Sequence, residues 1–326
     1  MQAFESINKG FNSTFQPGQL SLGLVVPIEN HGQDPVPNLE RHLERVQLAE
    51  SLGFKAVWLR DVPFFVPSFG DAGQTYDPFT YSGFLAAKTH SIALGIASIA
   101  LPLHHPVHVA KSAHTIDKLS NGRLILGVAS GDRPSEYPAM GIDFESRGQL
   151  FREAFEYVRA AQKSFPTLDT NSFGALNGQA DVLPKALGHK IPMLITGHSR
   201  QAIDWIANKG DGWMYYPRDF TTQHLKISEW RSLIPKEQKI DKPFMQPLYI
   251  DLDPDDNALP RPLHLGFRIG ANNLVVYLEE LRAMGVNHVA LNLRFNSSTI
   301  EDTLEQLANK VLPHFHKSKL QTTDNG

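Results

Sequence analysis

The chain has 326 residues, of which 41% are hydrophobic, and its formal net charge at pH 7 is −3. The length allows one large core or two domains, and Lys and Arg are spread along the chain, which argues against a nucleic-acid-binding surface. The absence of cysteine excludes disulfides, thiolate catalysis and cysteine metal sites. We find no signal-peptide pattern and no stretch apolar enough to span a membrane, so we expect a cytoplasmic protein.

Eight short apolar stretches, each followed by a helical pattern, are predicted to be strands. Consecutive apolar positions are typical of parallel strands, which are buried on both faces. In chain order the predicted strands are residues 21–27, 55–59, 92–101, 124–128, 191–196, 212–216, 244–252 and 289–293. Eight such units favour a closed (β/α)8 TIM barrel with insertion loops at its C-terminal face over a doubly wound open sheet. We therefore expect a single domain over residues 1–326.

Local signals mark the ends of several helices. Gly53 and Gly285 follow helical patterns and are predicted to end them. The first two predicted starts place a proline at the first helical position, and the last two are capping-box patterns. These four starts are Asp77-Pro78, His105-Pro106, Ser146-x-x-Gln149 and Ser298-x-x-Glu301.

Four segments lack a clear helical or strand pattern. Residues 1–20 are predicted to form an N-terminal arm and residues 316–326 a flexible tail. Residues 166–190, which are dotted with Gly and Pro, are predicted to be a long loop with room for a short hairpin. Residues 253–270 are proline-rich and long enough to be a lid or an arm rather than a simple connection.

Two strand ends carry residues that suit an anion. Ser130-Gly131-Asp132-Arg133 and Gly197-His198-Ser199-Arg200 each join a predicted strand to a loop or helix start. Backbone N–H groups, serine hydroxyls and an arginine at such a place can hold a phosphate. Ordinary turns between strands and helices also favour Ser, Gly and Asp, so composition alone leaves both interpretations open.

Other strand ends lack the groups that many barrel enzymes use. No lysine suited to a Schiff base and no nucleophile elbow is present. His104 and His108 lie around a helix start, where capping and packing are favoured over a zinc pair, and no metal site is predicted. The small residues Ala97-Ser98 would let a flat ring lie against the backbone, although they also suit close packing of strand and helix. A bound cofactor would explain why the mouth lacks catalytic side chains.

Taken together, several motifs resemble those of the bacterial luciferase-like flavin monooxygenases. The similarity covers residues 21 to about 315 and is densest over 91–137 and 182–217. The matching segments are ALGIAS at 93–98, LP at 101–102, HP at 105–106, DKLSNGR at 117–123, LGV at 126–128, VLPK at 182–185, TGHS at 196–199 and GDGW at 210–213.

The resemblance implies an α/β barrel that binds a flavin at the C-terminal ends of its strands. Ala97 and Ser98 resemble the family's non-prolyl cis peptide against the flavin ring, and Asp61 resembles an acidic residue that faces the ring. Gly197, His198 and Ser199 resemble the main phosphate site. The segment that passes the flavin chain and phosphate corresponds to Ser130, Gly131, Asp132, Arg133, Glu136 and Tyr137.

Two departures bear on the chemistry that the resemblance implies. Luciferases have a catalytic histidine where this chain has Val62, and an arginine where it has Ser130. Light emission is therefore not implied, and the catalytic group stays unassigned. Asp61, Arg218 and Arg294 are weak candidates because they are predicted to lie on the mouth side of the barrel.

The function that the resemblance implies is a two-component monooxygenase. It would use O2 and reduced FMN, delivered by a separate flavin reductase, to oxidise a small organic substrate. Two alternatives remain: an oxidoreductase that transfers hydride with the deazaflavin F420, and a non-catalytic flavin-binding subunit. The resemblance also implies a homodimer that pairs through its second and third helices, without nucleic-acid or membrane partners.

Overall fold

In the computed structural model, which describes residues 2–32, 34–238 and 240–316, eight parallel strands close into a barrel. The strands are β1 (Ser21–Val25), β2 (Ala56–Leu59), β3 (Ala93–Ala100), β4 (Leu124–Ala129), β5 (Thr167–Asp169), β6 (Ala175–Asn177), β7 (Met193–Thr196), β8 (Gly212–Met214), β9 (Phe244–Leu252), β10 (Arg261–Leu263), β11 (Gly266–Ile269) and β12 (His288–Asn292). The barrel strands pair in the order β9-β12-β1-β2-β3-β4-β7-β8, and β8 pairs with β9 to complete the circle. The predicted TIM barrel is confirmed.

Helices surround the barrel and cover the outer faces of its strands. They are α1 (Lys9–Thr14), α2 (His42–Leu52), α3 (Pro78–Lys88), α4 (Pro106–Leu119), α5 (Glu136–Ala139), α6 (Arg147–Ala161), α7 (Ile203–Lys209), α8 (Phe220–Ser232), α9 (Ala271–Met284), α10 (Ile300–Lys310) and α11 (Leu312–Phe315). Among the described residues, no helix combines the length and the apolar character needed to cross a membrane. The predicted flexible tail lies, apart from His316, outside the described residues.

The helix starts that depend on proline are confirmed, whereas both capping boxes are wrong. Asp77 accepts a hydrogen bond from Thr80 N, and α3 begins at the next residue. Ser146 makes no capping bond, because its hydroxyl donates to the Asp143 carbonyl in a preceding 3-10 turn. The cap of α10 is Thr299 rather than its neighbour at position 298, and its side chain accepts from the backbone N–H three residues later.

The N-terminal segment closes the bottom of the barrel. Phe11 and Phe15, from and just after α1, are buried in one cluster with inward-facing side chains such as Trp58 and Met245. Asn8 caps α1 and its amide also donates to the Leu124 carbonyl at 2.8 Å. The segment predicted to be an arm is therefore packed across the end of the barrel opposite the mouth.

A buried histidine links this bottom layer to the strands. The Trp58 indole donates to His288 Nε2 at 2.9 Å, so the ring proton lies on Nδ1. Nδ1 then donates to the Ser21 hydroxyl at 2.6 Å, and that hydroxyl donates to the Thr14 carbonyl at 2.6 Å. Neutral imidazole is the form that satisfies every one of these bonds.

Acidification is expected to destabilise the fold because His288 remains neutral inside it. Burial lowers the pKa of His288 to about 3, whereas an unfolded chain has a histidine pKa of about 6.5. Below pH 6.5 the unfolded chain binds a proton that the folded protein does not, so the free energy of unfolding falls as the pH falls from 6.5 towards 3. Between pH 7.5 and 5 this one histidine accounts for about 2 kcal/mol.

Urea unfolding at these two pH values measures the effect. The variant His288→Gln is expected to lose about 2 kcal/mol less than the wild type over this interval, because Gln does not titrate. The variant His108→Gln, at an exposed position, is the control and should behave as the wild type. An equal pH dependence in His288→Gln and wild type would contradict the assignment of a neutral buried imidazole.

Candidate active site

One large cavity opens at the C-terminal ends of the barrel strands. Its volume is about 490 Å³, within the range of small-molecule and cofactor sites. Every barrel strand contributes to its wall, through Val25, Trp58, Ala97, Ala129, Thr196, Met214, Met245 and Ala290. The eight strands therefore converge on a single site at the predicted end of the barrel.

The end of β3 forms part of this wall from small residues. The peptide bond between Ala97 and Ser98 is cis, as the resemblance implies. The pairing of β3 with β4 shifts register between Ile96 and Ile99, on either side of this peptide. The Ser98 hydroxyl is hydrogen-bonded to the Thr196 hydroxyl of β7. Both small residues line the cavity, where a flat ring can approach the backbone.

The turn after β4 brings its predicted residues to the same wall. Ser130, Gly131, Asp132, Arg133 and Glu136 all line the cavity. The predicted residue Tyr137 does not, because it is fully buried behind the turn, where its hydroxyl donates to the Ser130 carbonyl.

Gly131 is required for this packing. Its φ of +74° favours glycine, and a Cβ there would lie 2.5 Å from the Tyr137 hydroxyl. Tyr137 therefore shapes the turn from behind.

The turn after β7 lies in the cavity wall and contains backbone N–H groups without an acceptor among the described residues. Gly197 and Ser199 have φ angles of +57° and +45°, and with His198 they line the cavity. Within the described part of the chain, the N–H groups of His198 and Ser199 have no hydrogen-bond acceptor. The Ser199 hydroxyl donates to the Thr196 carbonyl at 2.7 Å and holds the turn in shape. Successive free N–H groups in such a turn form an anion-binding concavity.

The end of β2 supplies a carboxylate to the wall. Asp61 Oδ2 accepts from the Ala100 backbone N–H at 3.0 Å and from His104 Nε2 at 2.7 Å. Burial alone would lower the pKa of His104, but the hydrogen bond to Asp61 and its charge raise it above its usual value. The two residues are 43 positions apart in the sequence and meet because β2 and β3 are neighbours. The position of His104 near a helix start predicted only capping and packing, and the residue that does cap α4 is His105.

A group of charged residues closes another side of the cavity. Arg60 donates two hydrogen bonds to Asp71, at 2.9 and 2.8 Å, and an Arg294 nitrogen lies 3.3 Å from the same carboxylate. Burial would raise the pKa of Asp71, but the hydrogen bond and charge of Arg60 lower it to about 2. Arg294 also donates to the Gly32 and Gly70 carbonyls. Arg294 therefore lines the cavity, as predicted, and also fixes the neighbouring loops.

The candidate Arg218 does not line the cavity, whereas several residues that were not predicted do. Arg218 is exposed outside the cavity wall, with its guanidinium 5.7 Å from the centre of the Tyr215 ring. The lining residues that sequence analysis did not predict include Arg60, Asp71, His264 and Leu265. Arg60 directly follows β2, next to the predicted Asp61, whereas the other three lie in loops without a regular pattern. No pattern in those loops shows which of their residues line the cavity.

A hairpin from the predicted lid segment reaches over the mouth. β10 and β11 pair with each other, and β11 extends the sheet alongside β9. The tip places His264 and Leu265 in the cavity wall, with the His264 ring 5.5 Å from that of Tyr249. At Gly266 the hairpin packs so closely that a Cβ would lie 1.8 Å from the Tyr249 carbonyl oxygen.

Gly266→Ala is expected to displace the hairpin, because the neighbouring atom is backbone and cannot rotate away. Limited proteolysis within residues 253–270 should become at least several-fold faster, since cleavage follows local opening. Gly83→Ala is the matched control, because a methyl group there meets nothing within 4 Å. Equal cleavage rates in the two variants would show that the close packing does not hold the hairpin.

The chain is similar in sequence to known proteins. The family model described as Luciferase-like monooxygenase matches residues 20–259. An uncharacterized protein of Mycobacterium tuberculosis is 32% identical over 216 residues, covering 61% of this chain and 73% of that protein. The alkanal monooxygenase beta chain of Photorhabdus luminescens is 32% identical over 146 residues, 44% of either chain.

Solved structures share the fold at low sequence identity. A monooxygenase from Streptomyces bottropensis superposes with a TM-score of 0.75 at 18% identity, covering 90% of this chain and 99% of that one. The oxygenating constituent of a Pseudomonas putida 3,6-diketocamphane monooxygenase, in complex with FMN, superposes with a TM-score of 0.71 at 12% identity, covering 90% of this chain and 98% of that one. A coenzyme F420-dependent tetrahydromethanopterin reductase from Methanopyrus kandleri superposes with a TM-score of 0.69 at 17% identity, covering 91% of this chain and 99% of that one. At such identities these likenesses concern the fold alone.

Proposed function

Because the chain belongs to the luciferase-like monooxygenase family and is an enzyme of that type, we propose that it is a flavin-dependent monooxygenase of a two-component system. In this proposal the cofactor is FMN, taken up in its reduced form from a separate flavin reductase. When bound, reduced FMN supplies the electrons with which O2 oxidises a small organic substrate. The protein binds the flavin, orients it and excludes water.

The observation that carries the proposal is the pairing of two features across one cavity. The free N–H groups of His198 and Ser199 suit a phosphate, and the small residues Ala97 and Ser98 suit a flat ring. Both lie in the wall of the same 490 Å³ cavity. Ser130, Gly131, Asp132, Arg133 and Glu136 would flank the chain between ring and phosphate. Tyr137 would act from behind this segment.

The similar proteins include monooxygenases, which support FMN as the cofactor, and also F420-dependent enzymes. Monooxygenases are among the relatives that match in sequence, including the alkanal monooxygenase beta chain. The solved structures with the same fold include both an FMN complex and an F420-dependent reductase. We therefore keep F420-dependent hydride transfer as the second candidate.

Equilibrium titration of the purified protein with FMN, reduced FMN and F420 tests the proposal. We expect binding of reduced FMN, followed by reoxidation under O2 that yields product from a panel of aldehydes, sulfonates and amines. Preference for F420 would replace the monooxygenase with the hydride-transfer enzyme. Binding of none of the three would overturn the proposed function.

A homodimer is the second part of the proposal. The face formed by α3 and α4, which are the second and third helices of the barrel, exposes apolar side chains, with Phe84 41% and Leu119 65% exposed. The Tyr81 ring stacks against Phe84 and holds it in place. Aromatic groups are enriched at interfaces. A mass of twice that of the chain in light scattering would support the homodimer.

A further inference from the structure

We propose that Asp61 and His104 form a proton-exchanging pair, in which Asp61 faces the bound molecules and His104 is a positioning residue that connects it to solvent. This inference rests on the proposed function, since it assigns a proton route to the same cavity. It assigns to these two residues a role that flavin binding alone does not give them.

The two oxygens of the Asp61 carboxylate have different surroundings. Its side chain is only 3% exposed, yet it lines the cavity. Oδ2 is occupied by the Ala100 N–H and the His104 Nε2, whereas Oδ1 has no hydrogen-bond partner among the described residues. Oδ1 is therefore the oxygen available to a molecule in the cavity.

His104 lies behind this carboxylate and outside the cavity wall. Its side chain is 26% exposed, although it is not among the residues that line the cavity. Nε2 is engaged by Asp61, and Nδ1 has no protein partner in the described segments of the chain. The ring thus spans the wall, with one nitrogen on the carboxylate and the other free to exchange with water.

Acidic groups surround the Asp61–His104 pair and stabilise the protonated form of its histidine. Glu136 lies in the same wall, is 3% exposed and has no hydrogen-bond partner for Oε1 within the described chain. Burial raises the pKa of Glu136, the charge of Arg133 opposes this rise, and the negative charges of Asp61 and Asp132 add to it. On the outer side, Asp77 adds to the raised pKa of His104. The imidazolium of His104 is thus stabilised beside an acidic wall.

The proton balance of the pair can be written without changing its net charge. When a group in the cavity gives a proton to Asp61 Oδ1, an O–H bond forms there. The neutral carboxyl no longer stabilises the imidazolium, so the N–H bond at His104 Nδ1 breaks and that proton passes to solvent. The reverse sequence delivers a proton to the cavity.

The proposed oxidation requires that the pair deliver a proton into the cavity. Anionic reduced FMN, O2 and a substrate R–H give R–OH, oxidised FMN and water only if one further proton is supplied. Since the cavity is meant to exclude water, that proton needs a route through the wall. Of the described residues, Asp61 and His104 provide a continuous hydrogen-bonded route across it.

The first experiment follows the histidines by NMR without any flavin. Protein labelled at histidine Cε1 is titrated with acid, and the resonance lost in His104→Gln identifies His104 among the 14 histidines. We expect this resonance to titrate above pH 6.5 in the wild type and at a lower pH in Asp61→Asn. His108→Gln is the control for the exposed neighbour. An unchanged titration in Asp61→Asn would overturn the pair.

The second experiment measures reoxidation of bound reduced FMN by O2 across pH. We expect a rate midpoint that coincides with the His104 titration in the wild type and in His108→Gln. His104→Gln should lose this midpoint with unchanged FMN affinity, and Asp61→Asn should react at least tenfold more slowly. Persistence of the midpoint in His104→Gln would overturn the proposal.

The two experiments separate this inference from the proposed function. A high His104 titration in a protein that bound no flavin would support the pair and overturn the monooxygenase. Flavin binding together with a His104 titration that is unchanged in Asp61→Asn would support the monooxygenase and overturn the pair.

Discussion

The double variant His198→Ala, Ser199→Ala is expected to bind FMN about 100-fold more weakly than the wild type, a loss of roughly 3 kcal/mol. Both residues line the cavity at the turn that presents free N–H groups. Removing the imidazole removes a donor, and removing the hydroxyl frees the turn from the Thr196 carbonyl. Because Ser199 has a φ of +45°, the turn then loses a bond that holds it in an uncommon conformation.

The measurement compares FMN with riboflavin, which lacks the phosphate. If the turn binds the phosphate, the double variant should lose FMN affinity and keep riboflavin affinity. The variant His224→Ala, Ser228→Ala makes the same chemical change at exposed positions of α8 and should match the wild type. Equal losses for both flavins, or no loss for either, would contradict a phosphate at this turn.

Much of the barrel could be predicted because each signal is local. Apolar runs, glycines after helices and a proline behind Asp77 depend on neighbouring residues, and the structure follows them. The predicted bounds of the seventh barrel strand, residues 244–252, coincide with the observed ones of β9. The two capping boxes failed for different reasons. Glu301 pairs with Arg45 of α2 instead of bonding back to its own helix, whereas the Ser146 hydroxyl donates to the Asp143 carbonyl in the preceding turn.

The parts that could not be predicted depend on long-range contacts. Phe11 and Phe15 lie in a segment too short to show a period, and their burial requires the barrel that they close. The Asp61–His104 contact joins two strand ends that become neighbours only after folding. Small residues at strand ends, by contrast, pointed to the cavity wall even though ordinary turns share the same composition.

Asp71→Ala is expected to lower the free energy of unfolding by about 3 kcal/mol, because it leaves the buried Arg294 and the partly buried Arg60 without their common partner. Asp71 is 7% exposed, bonds Arg60 through both oxygens and lies 3.3 Å from Arg294. It also accepts from the Gly73 backbone N–H at 2.9 Å, which fixes the loop after β2 over the cavity. The truncation therefore affects both the core of the mouth and the loop that covers it.

Urea unfolding at pH 7 checks this value against a surface pair. Glu229→Ala removes the partner of Lys226, where both side chains are at least 36% exposed, and should cost less than about 1 kcal/mol. Since the pKa of folded Asp71 is about 2, below its ordinary value, its contribution is complete above about pH 4 and is lost as the pH falls towards 2. A cost at pH 7 no larger than that of Glu229→Ala would mean that Arg60 and Arg294 find other partners, and that the loop is held by its backbone instead.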